Sequence, residues 1–309
     1  MIFVGKERPY YTVNDFYLEK FHDKVYKISL NGDFTCPNRD GTLSKDGCIY
    51  CSESGSAEFG GNKLLPLKKQ FEEVLKMMQK KWKSGKYIAY FQANTNTYGP
   101  LSKLKSLFEE ALTLNENIIG LSIATRPDCL NDEIIEYLAD LNLRTFLTIE
   151  IGLQTIHEST AKLINRGHTL KDFEEAVLKL RKKNIHVVCH IINGLPGESK
   201  EMMMDTLNFV NKQDIQGLKI HMLYIIKNTP LERYYLEHPY PILTLSEYTE
   251  LVAEQIEHLR TDIVLHRLTG DAMKEDLIEP LWSLKKFVVT NEIDKILRKR
   301  NTYQGYHYN

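Results

Sequence analysis

The chain has 309 residues, of which 42% are apolar and 26% charged, a balance suited to a soluble globular protein with a sizeable core. Its formal net charge of −1 offers no global electrostatic attraction to nucleic acid, and no run of about 18 apolar residues exists to form a membrane span. The first residues, MIFVGKERPYYTVNDF, lack the sustained apolar stretch of a secretory signal, so the cytoplasm is the expected location.

Residues 1–24 are rich in aromatic side chains and read as a helical lead-in that covers one end of the core. VYKISL, 25–30, reads as a first strand, and it runs straight into GDFTCPNRDGTLSKDGCIYCS. That loop, 32–52, holds three of the five cysteines: Cys36, then after eleven residues Cys48, then after two more Cys51. A thiolate is a soft metal ligand, and a C-x-x-C pair sets two of them on one turn. Pro37, Asn38, Asp40, Gly41, Asp46 and Gly47 favour turns, so the loop can fold back and gather all three sulfurs. A structural zinc site closes with four ligands, and an ordinary iron–sulfur cluster takes four cysteines. Three thiolates on a four-iron cluster would leave one iron open for a small molecule, with the Tyr50 ring beside it. The other readings are a zinc knuckle completed by a histidine such as His22, or unliganded surface thiols. A disulfide is not expected, because nothing marks the chain as secreted.

Downstream, 67–83 reads as a helix, with Phe71, Val74, Leu75 and Met78 at helical spacing. Strands then alternate with helices: strand 87–93, helix 101–114, strand 118–124, helix 131–141 with Asn131 as N-cap, and strand 144–153. Helical stretches at 157–165 and 170–183 lead to strand 185–192, helix 200–212 and strand 217–225. Six such alternations mean parallel βαβ units with right-handed crossovers, arranged either as an open barrel or as a doubly wound sheet. In both, ligands bind where the loops converge at the C-terminal ends of the strands.

Alternation places Lys219, His221 and Leu223 on one face of the sixth strand, the face expected to look into the barrel mouth, with Ile220, Met222 and Tyr224 on the other. His186, Val188 and His190 share a face of the fifth. Inward histidines and a lysine suit an acidic or polar substrate, although each is read equally well as a satisfied core or rim side chain. Cys129 and Cys189 stand alone and read as buried small residues. From 228 onward the chain carries a helix near 246–260 and a strand-like IVLHRL at 263–268. The stretch 285–300 has six basic and two acidic residues, either a solvated face or a track for phosphates.

The segments GDFTCPNRDGT and GCIYC resemble the radical S-adenosylmethionine (SAM) superfamily, whose usual signature is a shorter C-x-x-x-C-x-aromatic-C. The widened gap is similar to the branch containing the Elongator catalytic subunit. The flanking residues resemble a bacterial family of that neighbourhood, the YtqA/YhcC-like (MnmL-like) proteins. The resemblance runs from about residue 25 to 271 and implies an α/β fold, a partial (βα)6 TIM-like barrel of the radical SAM type with a C-terminal helical appendage. The expected parts are a lead-in at 1–24, the core at 25–271 and a basic helical extension at 272–309.

It also implies a [4Fe–4S] cluster on Cys36, Cys48 and Cys51, and SAM bound at the open iron. FQANTNTYG stands where the superfamily usually carries a GGE-like segment for the amino group of SAM. That role then passes to backbone carbonyls and Gln92 or Asn94, unless the run is only a polar first turn of the next helix. Arg126, in a Thr-Arg-Pro-Asp turn, is implied to serve the carboxylate of SAM or of the substrate. In E-x-G-x-Q, Glu150 and Gln154 are implied ribose contacts. Arg166, in Asn-Arg-Gly-His, is assigned to the SAM carboxylate, and Gly194, in GLPGE, to the adenine side. Lys219, His221 and Arg267, the last in an RLTGD segment that closes the core, are the candidates for contact with substrate.

The implied activity is reductive cleavage of SAM coupled to modification of tRNA. The implied target is the C5 side group of a wobble uridine, trimmed from carboxymethylaminomethyl to aminomethyl, with flavodoxin or ferredoxin as electron donor and no membrane partner. The alternatives are a radical enzyme acting on a small metabolite, a non-catalytic iron–sulfur electron-transfer protein, and a zinc-stabilised RNA-binding module.

Overall fold

A computed structural model describes residues 5, 7–52, 55, 60–80, 84–270 and 272–308. Seven parallel strands form one sheet: β1 (Val25–Leu30), β2 (Lys86–Phe91), β3 (Ile118–Thr125), β4 (Phe146–Gln154), β5 (His186–Asn193), β6 (Gly217–Met222) and β8 (Val264–Arg267). They lie side by side in chain order. A doubly wound sheet needs a point where the strand order reverses, and here there is none, so the sheet curls into a half-barrel. The seventh strand is the IVLHRL segment, which extends the six-unit arrangement by one.

The helices between strands begin where the sequence supplies caps. Asn131 accepts from the Ile134 N–H to start α4 (Asp132–Arg144), and Ser199 starts α7 (Lys200–Asn211) in the same way. Reciprocal boxes of Thr169 with Asp172 and Thr244 with Glu247 start α6 (Leu170–Lys182) and α9 (Leu245–His258). With α2 (Leu67–Gln79) and α3 (Leu101–Thr113), these helices present Phe71, Phe108, Leu138, Leu180, Leu207 and Val252 to the outward faces of the strands, and all six are buried. The helix read at 67–83 ends at Gln79 with Lys80 as its C-cap, and 81–83 lie outside the described residues. The one read at 157–165 contracts to α5 (Glu158–Leu163).

The lead-in forms α1 (Val13–Phe21) and closes the N-terminal end of the half-barrel. Phe16 and Phe21 sit 6.0 and 5.3 Å from the Phe146 ring at the start of β4, and Phe16 lies 5.8 Å from His186 at the start of β5. Aromatic rings plug that end among the described residues, which leaves the C-terminal ends of the strands as the open side.

The strand read at 217–225 stops at Met222. Ile225–Ile226 (β7) pairs instead with Leu277–Glu279 (β9) in a separate antiparallel ribbon. Next comes α8 (Pro230–Glu237), whose Leu231 N–H donates to the Ile49 carbonyl at 2.9 Å and so lays the C-terminal region on the cysteine loop. The last helix, α10 (Lys286–Arg300), packs along α9.

Candidate active site at the open end of the half-barrel

A cavity of about 310 Å³ occupies the open end. Cys36, Cys48, Tyr50 and Cys51 line its upper wall; Gln92, Asn94, Arg126, Gln154 and Arg166 line its sides; Glu150, Lys219, His221 and Arg267 line its floor. Of the cluster, SAM and substrate residues implied by the resemblance, Gly194 is the one outside this lining. Its N–H donates to the Met203 sulfur at 3.1 Å and its φ of +85° makes it the turn between β5 and α7.

The cysteine loop is held by the turn that follows α5. Asn38, buried, donates through Nδ2 to the Asn165 carbonyl and lies 3.5 Å from the Cys48 sulfur. Asn165 returns Nδ2 bonds to the Gly47 carbonyl at 2.7 Å and the Ser44 hydroxyl at 3.1 Å. The Ile49 N–H donates to the Ile164 carbonyl, and the Arg39 guanidinium to the Cys51 carbonyl. These bonds fix the loop backbone with all three sulfurs on one cavity.

Burial pushes the Cys48 thiol up to about 11, so a metal must displace a proton from it. Among the described residues, no three His, Cys, Asp or Glu side chains gather as a single ion would require. His22 is exposed at the end of α1, outside the cavity, which removes the proposed fourth ligand of a zinc knuckle. Cys129 and Cys189 also lie outside the lining. Three sulfurs spread along one wall of a cavity form a donor set suited to a multi-iron centre held at three corners.

Two of the three amides on the side walls sit on strained backbone. Asn94 has φ +57° and Gln154 φ +67°, left-handed values that cost a non-glycine residue of order 1–3 kcal/mol. At Gln154 the β4–β5 register slips, and Gly152 makes room, since a Cβ there would come within 2.5 Å of Gln154 Nε2. Gln154 Oε1 is buried with no partner among the described residues. Strain plus an unsatisfied acceptor on a cavity wall marks a group aimed at a ligand.

The arginines are more committed. Arg126 forms a two-pronged pair with Asp128 at 2.9 and 2.8 Å and donates to the Arg166 carbonyl at 2.7 Å. Arg166 is 1% exposed and gives its N–H groups to the carbonyls of Leu153, Thr155 and His168. In this geometry both tie the turn after α5 to the ends of β3 and β4.

The largest departure from expectation is at Glu150. Read as a ribose acceptor, its carboxylate is instead filled by protein donors. Lys27 Nζ at 2.5 Å and Ser122 Oγ at 2.7 Å reach Oε1. Tyr90 Oη at 2.9 Å, His190 Nε2 at 2.8 Å and Lys219 Nζ reach Oε2. Burial alone would raise this carboxyl, but Lys219 and Lys27 hold it well below the usual carboxylate range. His190 is pushed down to about 4 by burial and by Lys219, and is neutral at pH 7. His221 lies 5.2 Å from the His190 ring, and its Nε2 is buried with no partner among the described residues. Lys27, Tyr90 and Ser122 were not anticipated. The available signal was a polar residue on the inward parity of each neighbouring strand.

Comparison with known proteins adds to this geometry. A model of the radical SAM superfamily matches residues 36–210, and one of a radical SAM C-terminal domain matches 215–299. The uncharacterized protein YtqA of Bacillus subtilis is 48% identical over 97% of this chain and 92% of its own length. A tRNA uridine(34) acetyltransferase of Dehalococcoides mccartyi is 31% identical over 47% of this chain and 33% of its own. Among solved structures, the archaeal Elp3 of Methanocaldococcus infernus superposes with a TM-score of 0.67 at 18% identity, over 91% of this chain and 64% of that one.

Proposed function

Because this chain belongs to the radical SAM superfamily, whose members use a [4Fe–4S] cluster and S-adenosylmethionine, we propose that it is a tRNA-modifying enzyme acting on the C5 side group of a wobble uridine. The observation that carries the reading is the conjunction of three cavity-lining cysteines with a 31% identical relative named for tRNA uridine(34). Within that reading, the reaction is the trimming of a carboxymethylaminomethyl group to an aminomethyl one, with electrons from flavodoxin or ferredoxin.

Cys36, Cys48 and Cys51 would hold the cluster, and the cavity beside them would hold SAM. When bound, the pair supplies one-electron cleavage of a sulfonium carbon–sulfur bond and thereby abstraction of a hydrogen atom. The chain's own residues place and enclose the reactants. Asn38 and Asn165 keep the cysteine loop in register. Asn94 and Gln154 offer amides from fixed, strained positions, Gln154 with a free acceptor for a hydroxyl or ammonium. Tyr50 covers the cysteine wall, and α1 blocks water from the far end of the half-barrel.

The test is anaerobic reconstitution with iron and sulfide, followed by assays of SAM cleavage and of bulk tRNA as substrate. About four irons per chain are expected on the wild type. Cluster and cleavage should be lost in Cys36→Ala, Cys48→Ala and Cys51→Ala and retained in Cys129→Ala and Cys189→Ala. SAM cleavage with no change in the nucleosides of any tRNA would discard RNA as the substrate and favour a small metabolite.

A further inference from the structure

The cavity floor carries more positive charge than its carboxylate offsets. Lys27 and Lys219 both pair with Glu150, which is the one carboxylate among the described residues of the cavity lining. A carboxylate offers about four lone-pair directions, and Glu150 already meets five donors. The two lysines are not equivalent. Lys27 is not among the residues that line the cavity, whereas Lys219 is. An ammonium has three N–H bonds. Two of those on Lys219 are directed at Glu150 and at the Tyr90 hydroxyl, 3.1 Å away, and among the described residues no further acceptor takes the third. Beside it, His221 Nε2 is buried with no partner among the described residues.

We propose that Lys219, with His221 beside it, is the receptor for an acidic group, a carboxylate, on the substrate. The geometry stands without any reading of the reaction; only the identity of the molecule bearing the carboxylate rests on the tRNA reading above. An isolated buried cation is costly, and an entering anion supplies the partner that Glu150 shares with Lys27. The groups facing the Lys219 ammonium are Glu150 from β4, Tyr90 from β2, Lys27 from β1, His190 from β5, and His266 and Arg267 from β8, with His221 on its own strand. Burial, reinforced by Lys27 and Arg267, pushes Lys219 down to about 7. A carboxylate arriving at the floor favours the charged form and raises that value, so a proton is taken up on binding at and above pH 7. A neutral group gives no such gain, and the pocket therefore selects for charge.

Two arms test this on the full chain. The first measures binding of two anticodon stem-loops that differ only at the wobble C5 side group, carboxymethylaminomethyl against methylaminomethyl. Wild type should prefer the carboxylate-bearing RNA by about tenfold, the worth of one charge-assisted hydrogen bond. Lys219→Gln should bind both RNAs alike, and Lys219→Arg should keep part of the preference. The second arm needs no RNA: protein labelled with 13C-lysine is titrated with sodium acetate and with acetamide, the Lys219 signal being assigned by its loss in Lys219→Arg. Acetate should raise the Lys219 midpoint and acetamide should not. If neither RNA binds but acetate shifts Lys219, the receptor stands and the tRNA reading falls. Equal binding of both RNAs by wild type, or a preference that survives in Lys219→Gln, overturns the receptor and leaves the tRNA reading in place. Absence of both RNA binding and an acetate shift overturns both.

Discussion

Glu150 bears its charge where water cannot hydrate it, 1% exposed, and stays ionised because two lysines and three neutral donors surround it. Replacing it with Gln keeps the shape but leaves Lys27 and Lys219 without a counter-charge. Breaking a buried pair from one side costs about 3–5 kcal/mol, so Glu150→Gln should unfold at markedly lower denaturant concentration than wild type. Removing a cation as well, in Glu150→Gln/Lys219→Met, should recover part of that loss. The ribose role inferred from the sequence makes a different prediction, weaker SAM binding at unchanged stability. Equilibrium unfolding of the two variants, beside SAM binding on the reconstituted protein, separates the roles. A single variant as stable as wild type would return Glu150 to the ligand.

At the scale of elements, strand and helix order was legible because parallel strands buried on both faces read as apolar runs and the helices carry a 3.6-residue stripe. The curl was not legible in the alternation itself, because six alternations fit either architecture until the strand order is known; the family resemblance alone pointed to the barrel that the structure shows. The seventh strand escaped the count since Val264–Arg267 is only four residues long and ends in His266 and Arg267. At the site, spacing singled out Cys36, Cys48 and Cys51 as a group, and the structure brings them to one cavity. Asn38 and Asn165, by contrast, are ordinary turn residues in sequence, and only the packing of one turn on another gives them their partners. The basic helix α10 shows the same limit. Arg300, on a stretch that reads as either a solvated face or a track for phosphates, pairs with Glu250 and, at 3.0 Å, with buried Glu257 from α9. Lys295 pairs within its own helix with Glu292. Arg300→Ala should therefore lower stability by about 1–2 kcal/mol, between an exposed and a buried pair, and leave the salt dependence of tRNA binding unchanged. Thermal melting and binding at two salt concentrations check both halves. A shallower salt slope with an unaltered melting temperature would make Arg300 an RNA contact instead.

At the scale of the whole molecule, five of the ten histidines are folded in uncharged. His168, His186 and His190 are each held at about 4, chiefly by burial, with Arg166, Lys20 and Lys219 respectively adding repulsion. His221 and His266 are pushed well below their ordinary value for the same first reason. An unfolded histidine titrates near 6.5. Below that pH the unfolded chain binds protons that the folded chain refuses until about pH 4, so stability falls as pH drops through this window. Glu150 does not oppose the trend: its depressed value keeps its contribution intact above the ordinary carboxylate range, and it is lost only in stronger acid. Each refused proton is worth at most roughly 1.4 kcal/mol per pH unit. Several histidines acting together should lower the melting temperature of the cluster-free chain by many degrees between pH 7 and pH 5. Calorimetry across that range, with His186→Phe as the comparison, reads the effect at one position remote from the cysteines. Phe suits the aromatic cage of Phe16 and Phe146 and cannot take a proton, so its melting temperature should fall less steeply with acid than that of wild type. Parallel curves would mean that His186 takes up its proton in the folded chain as readily as in the unfolded one, and that the plugged end of the half-barrel is wetter than its packing indicates.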